Sequence, residues 1–258
     1  MTDLDAIAAE LLAAYTTGKT VPPLTARYDG LTVDDAYAVQ LLQARHRTAG
    51  GAAIIGYKVG LTSAAMRQQL GVGEPDFGHL FSDMLYAADA PIPTGRFLQP
   101  RAEPEVALVL GKPLRGPGLS VADLVSATAY ALPAIEIIDS RVTDWKIGLV
   151  DTVADNASSG GLVLGGSPTL LSTVDLALTG CVLRLGGRIQ HTGAGAAVVG
   201  SPLNAATWLA NVLTARGAEL AAGHVILTGS LTAAVPVQPG DTVTATFDRL
   251  GAVTAVFD

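Results

Sequence analysis

Short apolar runs with the length and composition of β-strands dominate the sequence from about residue 95 to its end. They cover residues 103–110, 134–138, 161–164, 180–185, 224–229 and 242–257. Turn sequences rich in glycine and proline, such as residues 116–118 and 186–187, separate these runs. The last run divides at Leu250-Gly251 and fits a C-terminal hairpin. This part of the chain is therefore predicted to form a β-rich body.

Helical periodicity is strongest before residue 50. Over residues 4–15 apolar residues recur at intervals of three and four, which predicts a first helix that ends near Gly18. A capping sequence that starts at Thr32 predicts a second helix, which continues to about Arg47. The chain is thus expected to begin with a helical segment.

Further elements are predicted after residue 50. Residues 53–59 fit a strand, and a short helix is expected from Thr62 or Ser63 to Gly71. Two helices are predicted within the β-rich body, over residues 120–131 and 202–216. Together the elements predict an α+β protein with one domain over residues 1–258. In it, a helical segment of residues 1–50 packs on a mixed β-rich body of residues 51–258.

Composition excludes several classes of protein. The chain is 49% hydrophobic and only 15% charged, which is typical of a well-buried globular protein. A net charge of −7 and the absence of a basic run argue against a nucleic-acid partner. The N-terminus is acidic, and no uninterrupted apolar run reaches the roughly 18 residues of a membrane-spanning helix, so a cytoplasmic location is expected. The single cysteine, Cys181, is predicted to be a core residue.

Three glutamates interrupt two of the apolar runs. Glu103 and Glu105 lie two residues apart in one predicted strand, and Glu136 lies in another. Side chains two apart on a strand share a face and lie roughly 6–7 Å apart. Carboxylates crowded into an apolar setting repel one another and lose hydration, and a hard divalent cation such as Mg²⁺ or Mn²⁺ is the simplest compensation. The alternative is that the glutamates are solvated positions on half-exposed strands.

Two further ionisable residues have unusual surroundings. Lys58 lies in an apolar predicted strand between glycines, where it either binds a substrate carboxylate or acts as an acid, or else extends to solvent. Asp76 and His79 lie in the Gly/Pro-rich stretch of residues 73–79, which is predicted to be a loop. Asp76 is interpreted as either catalytic or a turn residue, and His79 as either catalytic or a structural histidine with its hydrogen bonds satisfied.

A polar stretch follows the strand of Glu136. Residues 139–160 are rich in small hydrogen-bonding side chains and are interpreted as a loop over a site, with an ordinary capped loop as the alternative. Residues 193–195 lack the third glycine of a dinucleotide fingerprint, and the sequence contains neither a phosphate-loop lysine motif nor G-x-S-x-G. Nucleotide-dependent enzymes and serine hydrolases of that type are therefore disfavoured.

Taken in order, these segments resemble the 2-hydroxypenta-2,4-dienoate (2-keto-4-pentenoate) hydratases of the fumarylacetoacetate hydrolase superfamily. The resemblance runs from about residue 4 to the C-terminus. The segments that carry it are residues 56–62, 74–78, 98–105, 135–141, 144–147, 151–159, 192–197 and 226–231. Each segment alone is a weak signal, but the series is specific to the superfamily.

The resemblance implies a mixed β-roll body of the fumarylacetoacetate hydrolase C-terminal type, a homo-oligomer and a Mg²⁺ or Mn²⁺ ion. It implies that the metal ligands are Glu103, Glu105 and Glu136, and that Lys58 and Asp76 are catalytic, with roles that can be exchanged. It places the substrate near Leu61, Ser158, Ser159 and Gly160. Pro104, which removes one backbone donor, suggests that its strand is free on that side.

The implied reaction is hydration of a 2-hydroxy-2,4-dienoate produced by meta-cleavage of an aromatic ring. The alternatives are a 4-oxalocrotonate (2-oxo-3-hexenedioate) decarboxylase and a non-catalytic partner subunit of such an enzyme. A complex with a downstream aldolase or with a sister decarboxylase is a further possibility. A hydrolase that cleaves acylpyruvates is disfavoured, because its histidine–glutamate pair is not found. The substituent at C5 or C6 of the substrate is left open.

Overall fold

The N-terminal segment forms two helices in the computed structural model, which describes residues 2–258 except 65, 66, 69 and 70. The first helix, α1 (Leu4–Thr17), is capped by the Asp3 side chain and ends at Gly18, which has a left-handed φ of 66°. The second, α2 (Val33–Ala49), begins with the predicted capping box, in which Thr32 and Asp35 bond each other's backbone N–H. Both helix predictions are confirmed.

The body contains three further helices among the described residues: α3 (Val121–Ala127), α4 (Leu149–Ala154) and α5 (Pro202–Ala215). Its strands are β1 (Ile54–Gly60), β2 (Asp76–Phe81), β3 (Leu85–Tyr86), β4 (Pro91–Ile92), β5 (Arg101–Leu110), β6 (Thr128–Ile138), β7 (Ser159–Leu164), β8 (Gly180–Leu185), β9 (Arg188–Ala194), β10 (Val225–Ser230), β11 (Val235–Pro236), β12 (Thr242–Phe247) and β13 (Gly251–Phe257). The predicted α+β class is confirmed.

Within the part of the chain that the structure describes, the strands form two sheets. The first has eight strands in the order β2-β1-β10-β5-β6-β7-β3, with β11 also paired to β5. The second has five strands in the order β4-β13-β12-β8-β9. Both sheets are mixed, since β1 pairs in parallel with β10 and β13 pairs in parallel with β4.

The main core lies between the two sheets and α5. Val106 and Ile135 of the first sheet pack in one cluster with Val253 of the second sheet and Leu209 of α5. Cys181 belongs to the same core, as predicted. Because successive side chains of a strand alternate in direction, the glutamates of β5 and β6 face the other way. The core therefore fixes the strands that carry them.

Two local predictions were wrong because strand pairing outweighed local sequence signals. Residues 76–79, predicted as part of a loop, belong to β2, which is buried along its whole length and pairs antiparallel with β1. The helix predicted over residues 120–131 ends at Ala127, because the chain from Thr128 onward pairs with β5 along ten register positions.

Three more corrections concern the surroundings of β5. Pro104 does not mark a free strand edge, because Leu231 donates to its carbonyl and β10 and β11 pair on that side. Pro104 instead lies where the pairing passes from β10 to β11, after a register break in β10. The polar stretch of residues 139–160 is largely buried and includes α4, so it is more than a surface loop. Strand β9, at residues 188–194, was not predicted.

Two predictions on helices remain. The helix expected to end at Gly71 falls partly on undescribed residues, although residues 64, 67 and 68 are helical. The helix predicted over residues 202–216 is α5. By length and composition alone, the segment Gly195–Ala215 that contains it could span a membrane. Because Ala206, Leu209 and Leu213 of α5 pack into the main core, this is weak evidence for a membrane span.

Candidate active site

A cavity of about 350 Å³ opens beside the first sheet. It is lined by side chains from β1, β2 and β5 and by the segments that follow β1, β6 and β10. Five of the predicted site residues line it: Lys58, Leu61, Asp76, Glu103 and Ser158. Predicted site residues that are spread over the sequence from position 58 to position 158 therefore line the same cavity.

The three glutamates form one cluster at this cavity. Glu103 and Glu136 are register partners on β5 and β6, and Glu105 follows on the same face of β5. One carboxylate oxygen from each lies within 4.8 Å of the others. Glu105 and Glu136 are fully buried, whereas Glu103 is half-buried and faces the cavity. The alternative that the glutamates are solvated is therefore wrong for Glu105 and Glu136.

The glutamate cluster has more acceptors than the protein satisfies. Gly229 donates its backbone N–H to Glu105 Oε2 at 2.7 Å, but among the described residues Glu105 Oε1 and both oxygens of Glu136 have no hydrogen-bond partner. Burial and the charge of Glu136 raise the pKa of Glu103 to about 8, and the same two causes raise the pKa of Glu105. Buried carboxylate oxygens without donors match the ligands that Mg²⁺ and Mn²⁺ prefer. The residues present fit a divalent cation.

Lys58 is the cation closest to this cluster in the described structure. Its Nζ lies 3.5 Å from Glu136 Oε1, and the side chain is buried, so the alternative that it extends to solvent is wrong. Burial lowers the pKa of Lys58, but the charges of Glu136 and Asp76 outweigh it and the net pKa is raised. Lys58 therefore keeps its proton and can donate hydrogen bonds into the cavity.

Asp76 is held beside Lys58 by the pairing of β1 with β2. It lies opposite Gly60 in the register, and a Cβ at position 60 would overlap Asp76 Oδ1 and lie 3.3 Å from Lys58 Nζ. The missing side chain of Gly60 thus makes room for the carboxylate. Asp76 is buried and its Oδ1 has no partner among the described residues. Burial raises the pKa of Asp76, although Lys58 opposes the shift.

Of the four residues predicted to contact substrate, two line the cavity and two do not. Leu61 and Ser158 line the cavity with left-handed φ values of 53° and 52°. Ser158 Oγ lies 3.2 Å from Thr152 Oγ1, another residue of the cavity wall. Ser159 and Gly160 do not line the cavity: Ser159 is fully buried, and a Cβ at Gly160 would lie 2.8 Å from Asp139 Cβ. Their predicted contact with substrate stays a prediction.

His79 lies away from the cavity. Its side chain is buried beside Tyr57 and Phe81, and its Nδ1 has no hydrogen-bond partner among the described residues. Burial lowers its pKa to about 4. The interpretation of His79 as a structural histidine with its hydrogen bonds satisfied is therefore wrong for Nδ1. His79 is also not one of the residues that line the cavity.

The polar stretch after β6 is held by a second buried ionic group. Arg141 pairs with Asp155 and also donates to the carbonyls of Asp139, Ser159 and Asp155. Asp155 also accepts the backbone N–H of Arg141 at 2.9 Å. These contacts fix the backbone that leads into Ser158 and β7. The sequence analysis did not predict this group.

Arg101 and Trp145 are among the cavity residues that the sequence analysis did not assign to the site. Arg101 lies two residues before Glu103 on the same strand, so the alternation rule that grouped the glutamates could have found it. Trp145 approaches it across 44 positions of sequence, and no local pattern predicts that contact. Both lie at the part of the wall formed by the start of β5 and the end of β6.

Known proteins share this sequence and fold. Residues 54–257 match the fumarylacetoacetate (FAA) hydrolase C-terminal family. The 2-keto-4-pentenoate hydratase 1 of Dechloromonas aromatica is 47% identical over 253 residues, covering 98% of this chain and 96% of that protein. The 2-keto-4-pentenoate hydratase of Burkholderia vietnamiensis is 45% identical over 251 residues, covering 97% and 96%.

A solved structure agrees in fold over nearly the whole chain. The 4-oxalocrotonate decarboxylase from Pseudomonas putida G7, complexed with magnesium and adipate, has a TM-score of 0.95 and 38% sequence identity, and the match covers 99% of this chain and 97% of that one. The predicted fold type, a helical segment on a mixed β body, is thereby confirmed. The chain belongs to the fumarylacetoacetate hydrolase family.

Proposed function

We propose that this protein is a metal-dependent hydro-lyase that converts 2-hydroxypenta-2,4-dienoate into 4-hydroxy-2-oxopentanoate. The observation that carries the proposal is the meeting of a cluster of three glutamates, two of them fully buried, with the Lys58–Asp76 pair at one cavity. The likeness to 2-keto-4-pentenoate hydratases, at 45–47% identity over almost the full chain, supports the same activity. The place of the reaction is the meta-cleavage degradation of aromatic compounds.

Glu103, Glu105 and Glu136 would hold a Mg²⁺ or Mn²⁺ ion. When bound, such an ion supplies Lewis-acid stabilisation of negative charge on a carboxylate and an adjacent oxygen of the substrate. The magnesium in the related decarboxylase structure supports a divalent ion in general, and either ion suits an all-carboxylate donor set.

The reaction requires proton movements at several atoms. The proton of the C2 hydroxyl leaves as the C2 ketone forms, and a proton is added at C5. Water then adds its hydroxyl to C4, and a proton is added at C3, so that the product is the substrate plus one water molecule. An acid–base group near C4 and C5 is therefore needed, together with a donor to the C2 oxygen.

Asp76 fits the acid–base role. Because its burial raises its pKa, a larger fraction of the carboxyl is protonated at neutral pH than in an exposed aspartate. The protonated form donates to C5, and the carboxylate formed takes a proton from the attacking water.

Lys58 fits the role of hydrogen-bond donor. It stays charged beside Glu136 and can donate to the C2 oxygen, where negative charge develops during both steps. The two roles can be exchanged between Lys58 and Asp76, since both face the same cavity. Separate Asp76→Asn and Lys58→Met variants test them: only the variant that loses the acid–base group loses exchange of the C5 proton with solvent.

The cavity suits a small acid. Its volume of about 350 Å³ is at the lower end of the range for small-molecule sites. Leu61, Ile138 and Ala157 give part of its wall an apolar surface for the carbon chain. Hydrogen, methyl or carboxylate at the far end of the substrate would each define a different pathway.

The proposal includes a cytoplasmic location and a homo-oligomer. A downstream aldolase or a sister decarboxylase is a further partner with which the protein would form a complex. The proposal includes neither a nucleic-acid nor a membrane partner. The net charge of −7 argues against a nucleic-acid partner.

The second candidate is 4-oxalocrotonate (2-oxo-3-hexenedioate) decarboxylase, which the TM-score of 0.95 to such an enzyme favours. A third is a non-catalytic partner subunit of that enzyme. Against the third, such a subunit has no need of a buried carboxylate cluster, whose like charges repel one another.

One assay separates these candidates. Purified protein is mixed with fresh 2-hydroxypenta-2,4-dienoate and Mg²⁺ or Mn²⁺, then with EDTA, while the dienol ultraviolet band is followed and products are identified by NMR. Metal-dependent formation of 4-hydroxy-2-oxopentanoate is expected. Release of CO₂ from 2-oxo-3-hexenedioate without any hydration would instead identify a decarboxylase, and inactivity on both substrates would favour the partner subunit.

A further inference from the structure

Arg101 places on the cavity wall a positive charge that has no ion-pair partner among the described residues. Its Cζ lies 4.4 Å from the centre of the Trp145 ring, and both residues line the cavity. In residues 2–64, 67–68 and 71–258, no carboxylate pairs with the guanidinium and no acceptor takes a hydrogen bond from it. A half-buried guanidinium with free donors is suited to bind an anion.

Trp145 is held in place by a strained turn. Asp144 and Trp145 have left-handed φ values of 59° and 56°, which are costly for residues other than glycine. Gln99 compensates by accepting the Asp144 backbone N–H at 2.8 Å and the Trp145 indole N–H at 3.1 Å. The Gln99 amide also donates to Ser140 and Val142. The indole is therefore fixed, and it fixes the guanidinium that stacks on it.

A second arginine of the chain provides a contrast. Arg216 also stacks on an aromatic ring, with its Cζ 4.2 Å from the centre of Tyr37, in another cavity of about 520 Å³. Unlike Arg101, Arg216 has a counter-ion, since its Nη2 lies 3.4 Å from Asp34. Stacking alone therefore does not explain why Arg101 remains without an anion.

The strand geometry indicates which part of the substrate Arg101 would meet. Arg101 lies next to Glu103 on the cavity face of β5, whereas Lys58 and Asp76 lie on β1 and β2. If Lys58 acts on the C2 oxygen, C2 lies near the glutamate cluster, since Lys58 Nζ is 3.5 Å from Glu136 Oε1 and Glu136 is the register partner of Glu103. The C1 carboxylate, which is bonded to C2, can then meet Arg101 on the same face of β5 as Glu103, while C4 and C5 extend toward Asp76.

We propose that Arg101, held against Trp145, binds the C1 carboxylate of the substrate and thereby sets the orientation of the substrate in the cavity. This inference rests on the proposed function for the identity of the substrate. In this orientation the C5 substituent points toward Asp76, and Leu61, which follows the register partner of Asp76, is an apolar neighbour for it on the cavity wall.

The test measures binding without turnover. Trp208→Phe leaves Trp145 as the single tryptophan, since the chain has two, and its fluorescence reports ligands at the cavity wall. In that background and with Mg²⁺ present, 2-oxopentanoate and 2-oxoadipate are titrated as inert mono- and dicarboxylates. The variants are Arg101→Met, Arg101→Lys as the conservative change, and Arg216→Met as the matched control.

Arg101→Met is expected to weaken the binding of both acids about 10- to 100-fold, because charge-assisted hydrogen bonds to the C1 carboxylate are lost. Arg101→Lys should recover part of the affinity, and Arg216→Met should change nothing. Weaker binding of 2-oxoadipate alone would mean that the guanidinium contacts a distal carboxylate, which would overturn the orientation. Unchanged binding of both acids would overturn the proposal altogether.

Steady-state kinetics give a second readout. Loss of a carboxylate contact that is made equally before and during the reaction raises KM and leaves kcat nearly unchanged. Arg101→Met is therefore expected to raise KM and to leave kcat nearly unchanged. A fall in kcat with unchanged KM would contradict the assignment. If the wild type shows no hydratase turnover but its binding of 2-oxopentanoate depends on Arg101, the proposed function fails while the carboxylate site remains.

Discussion

Two buried ionic clusters in this protein are satisfied in opposite ways. Around Arg141 and Asp155, each guanidinium nitrogen donates to an oxygen of the protein. Around Glu105 and Glu136, three carboxylate oxygens lack a donor among the described residues. The Arg141 cluster is satisfied by the protein itself, whereas the glutamate cluster leaves acceptor oxygens that suit an additional cation. The contrast separates a structural group from a binding group without reference to any relative.

The largest expected effect of a single substitution in these clusters is on activity. Glu105→Gln keeps an acceptor for the Gly229 N–H but removes one charge that would hold the cation. Metal-dependent turnover should fall by roughly 1000-fold or more, because several kcal/mol of charge stabilisation are lost. Turnover and Mg²⁺ titration calorimetry measure this, circular dichroism checks the fold, and Glu219→Gln on the surface is the control. A fully active, metal-independent Glu105→Gln variant would refute the metal site.

In the Arg141 cluster the expected effect is on stability. Arg141→Met leaves Asp155 buried without its partner and should lower the free energy of unfolding by about 3–5 kcal/mol. Urea denaturation measures the loss. The double variant Arg141→Met/Asp155→Leu should be more stable than the single variant, since no unpaired charge remains. A single variant as stable as the wild type would show that this cluster is dispensable.

Removing the metal should make stability depend on pH. The pKa of Glu103 is raised to about 8 in the folded protein, from an ordinary value of 4.5, so the metal-free folded state binds more protons than the unfolded state between these values. Its stability therefore falls as the pH rises toward 8. The window from pH 6.5 to 8.5 avoids His79, whose lowered pKa acts in the opposite direction below pH 6.5.

With EDTA, the Tm is expected to fall by about 2–8 °C between pH 6.5 and 8.5, which corresponds to roughly 1–2 kcal/mol after allowing for the exposure of Glu103 to the cavity. With saturating Mg²⁺ the decrease should be much smaller, because the cation binds the ionised carboxylates. Differential scanning calorimetry gives both values. Identical pH profiles with and without Mg²⁺ would show that the carboxylates are not its ligands.

The smallest expected effect tests the Asp76–Lys58 arrangement. Gly60→Ala adds a Cβ that overlaps Asp76 Oδ1, so the carboxylate must move. We expect kcat to fall about 10- to 100-fold, since a small displacement of an acid–base group slows proton transfer. Mg²⁺ affinity should change little. Gly180→Ala is the matched control, because nothing lies within 4 Å of its added Cβ. An unchanged kcat would argue against Asp76 as the acid–base group.

The features predicted from sequence are those that depend on local periodicity. The spacing of Glu103 and Glu105 was enough to place them on one face, and the capping box at Thr32 marked the start of α2. Strand β2 was missed because the glycines and proline around Asp76 are typical of a loop, and only pairing with β1 makes the segment a strand.

The contacts that complete the site were not predictable in this way. The opposition of Gly60 to Asp76 depends on strand register, which no local pattern contains. Arg141 and Asp155 are 14 residues apart across an irregular segment, so their pairing depends on the packing of that segment. The ligand roles of the glutamates and the roles of Lys58 and Asp76 stay predictions until a variant or a metal titration tests them.

The register break in β10 has a consequence for experiment. Because pairing with β5 is interrupted between Leu227 and Ser230, the Gly229 amide donates to the Glu105 carboxylate. Its proton resonance should therefore change whenever that carboxylate gains a proton or a cation. In ¹H–¹⁵N spectra of the unmodified protein, this single backbone signal would report the state of the site and require no label at any catalytic group.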